Sequence, residues 1–139
     1  SMSCLHPAGS FVGEDTNAAS AVLYLSYGSF SMLLTGDVEG TGEEKLLQRL
    51  KEEGIENLSV LKVAHHGSKY ATKEEFLEIL TPKLAIISAG RGNTYGHPHS
   101  ELLDRLAVCG ADIMVTYETG AVMIETDGKT MRVKGFLQH

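Results

Sequence analysis

An aspartate closes one apolar run and a pair of histidines closes the next. The first is Leu33-Leu34-Thr35-Gly36-Asp37; the second, after a gap long enough for one helix, is Leu61-Lys62-Val63-Ala64-His65-His66-Gly67-Ser68. A third apolar run, Ala85-Ile86-Ile87-Ser88-Ala89-Gly90, leads into Tyr95-Gly96-His97-Pro98-His99. One carboxylate and several imidazoles are the donor set of a hydrolytic metal centre, where cations activate water and an imidazole can move a proton near neutral pH. In an open α/β sheet, ligands and chemistry collect at the carboxyl ends of the strands. If the three runs are strands of one sheet, they bring these groups to one edge.

The elements that must do this positioning follow from periodicity. Ala21–Leu25 and Ser31–Leu34 are β-rich and are joined through Tyr27-Gly28-Ser29, which predicts a hairpin. Between Glu43 and Lys51, Leu46, Leu47 and Leu50 recur at helical spacing among charges, so an amphipathic helix is expected there. A strand over 59–63, a helix over 73–80, a strand over 84–88 and a helix near 99–108, striped by Leu102, Leu103 and Leu106, complete an alternation that implies right-handed crossovers and a sheet with packed helices. Beyond Asp112, the short runs Ile113–Val115, Ala121–Ile124 and Met131–Val133 are separated by Glu118-Thr119-Gly120 and Asp127-Gly128. Turn formers at that spacing predict a terminal antiparallel meander. Ser1-Met2-Ser3 reads as a cloning remnant, and Cys4-Leu5-His6-Pro7 as the end of a strand whose start lies upstream.

The 139 residues, 42% of them hydrophobic, suffice for one core, so a single domain is expected. A formal charge of −6 argues against a broad electrostatic footprint for nucleic acid, because sequence-independent affinity comes mostly from Lys and Arg neutralising phosphates. Cys4 and Cys109 have neither paired nor zinc-ribbon spacing and read as free thiols. No apolar stretch approaches the roughly 20 residues of a membrane span, and the expectation is a water-soluble piece. Gly36, Gly40 and Gly42 lack the Lys-Ser/Thr ending of a phosphate loop, which removes a nucleotide-binding reading.

Taken in order, Asn17-x-x-Ser20, Leu33-Leu34-Thr35-Gly36-Asp37, Val63-Ala64-His65-His66-Gly67-Ser68, Ala85-Ile86-Ile87-Ser88 and Asn93-x-Tyr95-Gly96-His97-Pro98 resemble the C-terminal half of a metallo-β-lactamase-fold domain. The subgroup they resemble most closely is the one at the end of ComEC-type competence proteins, membrane channel components of bacterial DNA uptake. The resemblance runs from about Leu5 to Val133. It implies an αββα sandwich, a two-metal site of zinc or manganese, and hydrolysis by a metal-bound hydroxide, directed in this subgroup at DNA. The His-x-His-x-Asp-His run that such enzymes carry in their N-terminal half is missing. Only His97-Pro98-His99-Ser100-Glu101 imitates it, with Leu102 where the last His should stand, and that match reads as coincidence. The expectation is therefore one partial domain over 1–139, the C-terminal half of the sandwich, holding at most half a metal site.

Each candidate has a second reading. Asp37 is expected as a metal ligand bridging two cations, as the resemblance implies, or else as the cap of the helix that follows or an Asx turn after the strand. Within the pair, adjacency on a strand end would point His65 and His66 to opposite sides; the resemblance implies that one of them is catalytic, as proton donor to the leaving oxygen, with His65 preferred, and the second reading of each is a His packed against a loop, with Gly67-Ser68 starting the helix. His97 is expected as the last metal ligand, or as a plain turn residue before Pro98. His99 reads as the exposed start of a helix. Ser68 and Asn93 could bind a phosphate or support a ligand, while Lys62, Lys69 and Arg91 read as solvated charges that could touch phosphates.

Two functions stay open. One is a metal-dependent phosphodiesterase or nuclease domain of a competence protein, inactive as this piece alone. The other is a non-catalytic DNA-handling or regulatory module of the same channel. Implied partners are single- or double-stranded DNA and the membrane channel part of the same chain. An apolar face left bare by the missing sheet would add self-association. The implied location is a soluble domain of a bacterial integral membrane protein.

Overall fold

The computed structural model describes residues 1–6, 21–90 and 96–136, with the side chains of His6 and His65 outside the described set. Six strands form one mixed sheet in sequential order: β1 (Met2–His6), β2 (Val22–Tyr27), β3 (Phe30–Leu34), β4 (Val60–Lys62), β5 (Leu84–Ile87) and β6 (Asp112–Val115). The first two pairings are antiparallel and the last three parallel. The expected hairpin is β2–β3, with Tyr27 opposite Phe30. Met2 and Ser3, read from sequence as a cloning remnant, pair with Leu25 and Tyr24 at the sheet edge.

Each parallel step is bridged by a helix: α1 (Thr41–Glu53), α2 (Glu74–Leu80) and α3 (Ser100–Val108). Three crossovers of one hand, on strands laid down in sequence order, must put all three helices on the same face. The larger core records this. Leu33, Leu61, Ala85 and Ile87 from the strands are buried against Leu46 and Leu50 of α1, Phe76, Leu77 and Leu80 of α2, and Leu102 and Leu106 of α3. The two-residue period of a strand sends the alternate residues, Val60, Leu84 and Ile86, to the other face. All four residues of β5 are buried, as a parallel strand covered on both sides requires.

That second face carries a separate antiparallel pair, β7 (Val122–Thr126) and β8 (Met131–Gly135). Val122, Ile124, Met131 and Val133 pack on Val60, Leu84 and Ile86, beside Phe30, Met32 and Met114 of the sheet. The face expected to be bare is thus covered in part.

The fold is α/β, a mixed sheet with packed helices and a terminal antiparallel hairpin, as the sequence predicts. The meander, however, has two strands rather than three. Ile113–Val115 belongs to β6, which pairs in parallel with β5 from Leu84–Asp112 to Ile87–Val115 and is followed by a short helix, α4 (Thr116–Thr119). The residues explain the difference: Ile113, Met114 and Val115 are apolar without alternation and suit a strand packed on both faces, whereas β7 and β8 alternate half-buried and exposed positions.

The hairpin is fastened at its tip. Ser29 donates both its N–H (2.6 Å) and its Oγ–H (2.9 Å) to the Gly128 carbonyl, so the β2–β3 turn sits on the β7–β8 turn. Gly28 has φ +59 there, and a Cβ on it would run into Gly128 O. Replacing it combines a left-handed backbone penalty with a backbone collision. Gly28→Ala is expected to cost about 1–3 kcal/mol. Amide exchange checks this: protection of β7 and β8 falls while that of β4 and β5 holds, and unchanged protection of the hairpin contradicts it.

Candidate functional site at the carboxyl edge of the sheet

The Thr-Gly-Asp segment is a tight turn directly after β3. Val38 N–H donates to Thr35 O (3.2 Å), Gly36 adopts φ +55, and the buried Thr35 hydroxyl donates to Lys62 O at the end of β4. This ties the β3 turn to the neighbouring strand and lifts Asp37 above the edge, half-buried. Asp37 does not cap α1: the cap position is Gly40, with no side-chain hydrogen bond.

After β4 the chain enters a 3-10 turn, Ala64–Gly67, rather than continuing as a strand. His65 and His66 are therefore not alternate residues of a pleat, and the opposite-sides argument made from sequence does not hold. His66 has φ +52, a left-handed conformation uncommon for a non-glycine residue. Its Nδ1 lies 2.7 Å from Ser88 O just beyond β5. A carbonyl can only accept, so Nδ1 carries a proton, and in the neutral ring Nε2 holds the lone pair. That nitrogen stands 4.0 Å from Asp37 Oδ1.

The third run supplies His97, joined to Pro98 by a cis peptide. The His97 ring stacks toward His66 with centroids 6.5 Å apart, and His99 meets His97 edge-on at 4.7 Å. The edge thus collects Asp37, His66, His97 and His99 from the loops after β3, β4 and β5. The His65 side chain, Arg91 and Asn93, like Asn17 and Ser20 of the family-like pattern, lie outside the described residues.

Gly67 joins two of these loops. It has φ +84, and a Cβ there would lie 2.6 Å from Pro98 Cβ, so only glycine lets the 97–99 loop come this close. His99 N–H donates to Gly67 O (3.0 Å) and Lys69 N–H to His99 Nδ1 (2.9 Å). His99 is half-buried at the cap position of α3, not an exposed helix start, and it holds the histidine turn in place. Ser68 is likewise buried and its Oγ accepts from Tyr70 N–H, which closes the turn and leaves it poorly placed for a phosphate.

Three groups that support or flank the site are read differently from sequence or missed there. Lys62 reads there as a solvated charge; burial instead holds its ammonium below the usual range, with Asp37 opposing that shift. Its signal was visible, since the strand period puts position 62 on the apolar face of Val60. Glu43 is buried and accepts from the N–H groups of Thr72 and Lys73, and Arg105 donates to the carbonyls of Lys69, Ala71 and Thr72 at 3.0, 3.0 and 3.3 Å. Together they clamp the segment between the histidine turn and α2. Glu43 also had a signal: it shares the stripe of Leu46, Leu47 and Leu50 on α1.

Among the described residues this edge does not close around a cation. Zinc–ligand bonds of about 2.0–2.1 Å put two tetrahedral donors roughly 3.3 Å apart, and the 4.0 Å between Asp37 Oδ1 and His66 Nε2 is wider. Among the described residues no three His, Cys, Asp or Glu side chains are grouped to hold a cation. The donor types present suit zinc or manganese.

No protein-family model matches the chain. Curated relatives do. It is 42% identical over 106 residues to ComE operon protein 3 of Bacillus subtilis, which covers 76% of this chain and 13% of that protein. It is 36% identical over 108 residues to Recombination protein 2 of Haemophilus influenzae, covering 78% of this chain and 13% of the relative. Against Competence protein ComA of Neisseria gonorrhoeae it is 34% identical over 108 residues, 78% of this chain and 15% of the relative. The chain spans 13–15% of the length of these relatives and is homologous to a segment of each.

The Glu43 clamp has a pH signature. Burial is the leading influence on its carboxyl and raises it above the ordinary 4.5, against the N–H groups of Lys73 and Thr72 and the charges of Lys73 and Arg105. A carboxyl that holds its proton more tightly folded than unfolded favours folding when protonated. That contribution is complete below 4.5 and is lost as pH rises through the folded value. Relative to Glu43→Gln, the wild-type chain should gain stability as pH falls from neutral towards 4.5 in urea denaturation; a constant difference across that window contradicts the assignment.

Proposed function

We propose that this chain is the C-terminal part of a metallo-β-lactamase-like phosphodiesterase domain in a bacterial competence protein, acting on DNA during its uptake. The observation that carries the reading is the convergence of Asp37, His66 and His97 from three successive strand ends on one edge, in a chain homologous to a segment of a named competence protein. The short share of each relative that is matched supports placing the domain in a larger protein. No helix among the described residues is long and apolar enough to cross a membrane, which fits a domain outside the bilayer of an integral membrane parent.

In this reading the edge supplies half of a two-cation centre, and the other donors come from outside the described residues. Bound zinc or manganese would supply Lewis-acid activation of the phosphodiester and of water. Asp37, with two carboxylate oxygens, and His97, with one imidazole, would be the residues of this edge that hold the cations. In His66 the Ser88 carbonyl keeps the Nδ1 proton, so Nε2, which holds the lone pair in the neutral ring, is the nitrogen that takes up a proton and passes it on. That atom, or its counterpart in His65, serves the leaving oxygen.

Metal content and single-turnover DNA cleavage of the intact domain test these roles. Asp37→Ala should lose metal and cleavage together. His97→Ala should lose less metal, one imidazole among several donors being removed. His66→Ala should keep most metal while cleavage slows roughly 10²–10⁴-fold, as for a positioned general acid. Cleavage left intact in all three variants would falsify the enzymatic reading and leave the DNA-handling module in its place.

A further inference from the structure

Tyr70 is 64% exposed on the loop that leaves the histidine turn. Single exposed aromatics are ordinary on protein surfaces; what distinguishes this one is how firmly the backbone beneath it is fixed. Its own N–H goes to Ser68 Oγ (3.2 Å), and the N–H of Lys69 goes to His99 Nδ1 (2.9 Å). The carbonyls on either side, of Lys69 and Ala71, both accept from Arg105 Nη2 at 3.0 Å. Ala71 N–H returns to Ser68 O (3.2 Å), and Ala71 and Thr72 are buried. A loose loop would let the ring fold back and bury its apolar surface. The anchored loop instead holds it in water, with Lys69 Nζ 5.4 Å from the ring centroid.

We propose that Tyr70 and Lys69 form a stacking subsite for a single-stranded polynucleotide, the ring receiving a base and the ammonium a neighbouring phosphate. The inference rests on the phosphodiesterase reading and names the form of its substrate. Tyr70 follows His66 by four residues, so their Cα atoms lie within about 15 Å, a span that neighbouring nucleotides bridge. The Lys69–His99 hydrogen bond keeps the subsite joined to the histidine cluster. In a duplex each interior base face is covered by its neighbours and only the two end pairs present one, whereas every base of an unpaired strand can offer a face to an aromatic ring. Because the loop is already ordered, little conformational freedom is lost on docking.

The test is an aromatic NMR titration of the 139-residue chain at low salt, with a thymidine octamer and with a blunt duplex of the same length. The Tyr70 ring resonances should move upfield and saturate with the octamer and respond far less to the duplex. Tyr70→Ala should weaken octamer binding roughly 5- to 150-fold, the loss of one stacked base, while Tyr70→Phe keeps most of it. Both changes fall on an exposed side chain, and the Phe variant guards against an altered loop. An unshifted Tyr70 ring, an equal response to duplex, or an Ala variant that binds as well as wild type overturns the proposal. Cleavage by the intact domain is scored separately: cleavage without a Tyr70 effect on binding defeats the subsite alone, whereas Tyr70-dependent binding without cleavage defeats the phosphodiesterase reading alone.

Discussion

Pro98 occupies the space that a side chain at position 67 would need, and this contact is the one on which the arrangement of the edge depends. The loop after β4 and the loop before α3 belong to different crossovers; the parallel pairing of β4 with β5 starts them on the same edge, and the contact between positions 67 and 98 closes the remaining distance. With glycine at 67 they close to van der Waals distance, and the Gly67 carbonyl and the Lys69 N–H become partners for the backbone and ring of His99. The same closure sets His97 beside His66. A third loop is fastened by a different bond, from the Thr35 hydroxyl to the Lys62 carbonyl, and it brings Asp37 to the pair.

Behind this edge lies a clamp of charged groups that the core would otherwise exclude. Glu43 is buried with its carboxylate satisfied by two backbone N–H groups at the start of α2, and the half-buried Arg105 satisfies three carbonyls of the preceding loop. Charged groups are retained in such places when each lone pair and proton finds a partner. The consequence is a rigid segment between the histidine turn and α2. A stiff edge favours function, since donors held in fixed positions lose little freedom when a cation or a phosphate arrives.

Much of this was legible in the residues. The alternation of apolar runs and amphipathic stripes gave β2 to β5 and α1 to α3 within a residue or two, because each run is periodic and ends in glycine or polar residues. Where Ile113–Val115 pairs was less evident, since short apolar strands differ in partner only through their alternation. The edge itself was legible as a set of candidates, Asp37, His65, His66 and His97, but not as a geometry. That His66 leaves the strand in a left-handed turn, or that His99 is a hydrogen-bond acceptor instead of an exposed cap, depends on a contact between residues 67 and 98 that no local pattern encodes. Lys62 and Glu43 were misread or missed for a simpler reason: their charges outweighed the apolar stripe on which each of them stands.

In the proposed function this edge is where the chain meets divalent cations, as half of a larger centre. It competes with the acidic helix surfaces, where Glu74, Glu75 and Glu78 crowd one another on α2. Paramagnetic broadening of the 139-residue chain by dilute manganese separates the two. The account predicts that amide signals of residues 36–38, 65–68, 97 and 99 disappear first and together. Broadening that starts on α2, or spreads evenly over the acidic surface, contradicts it.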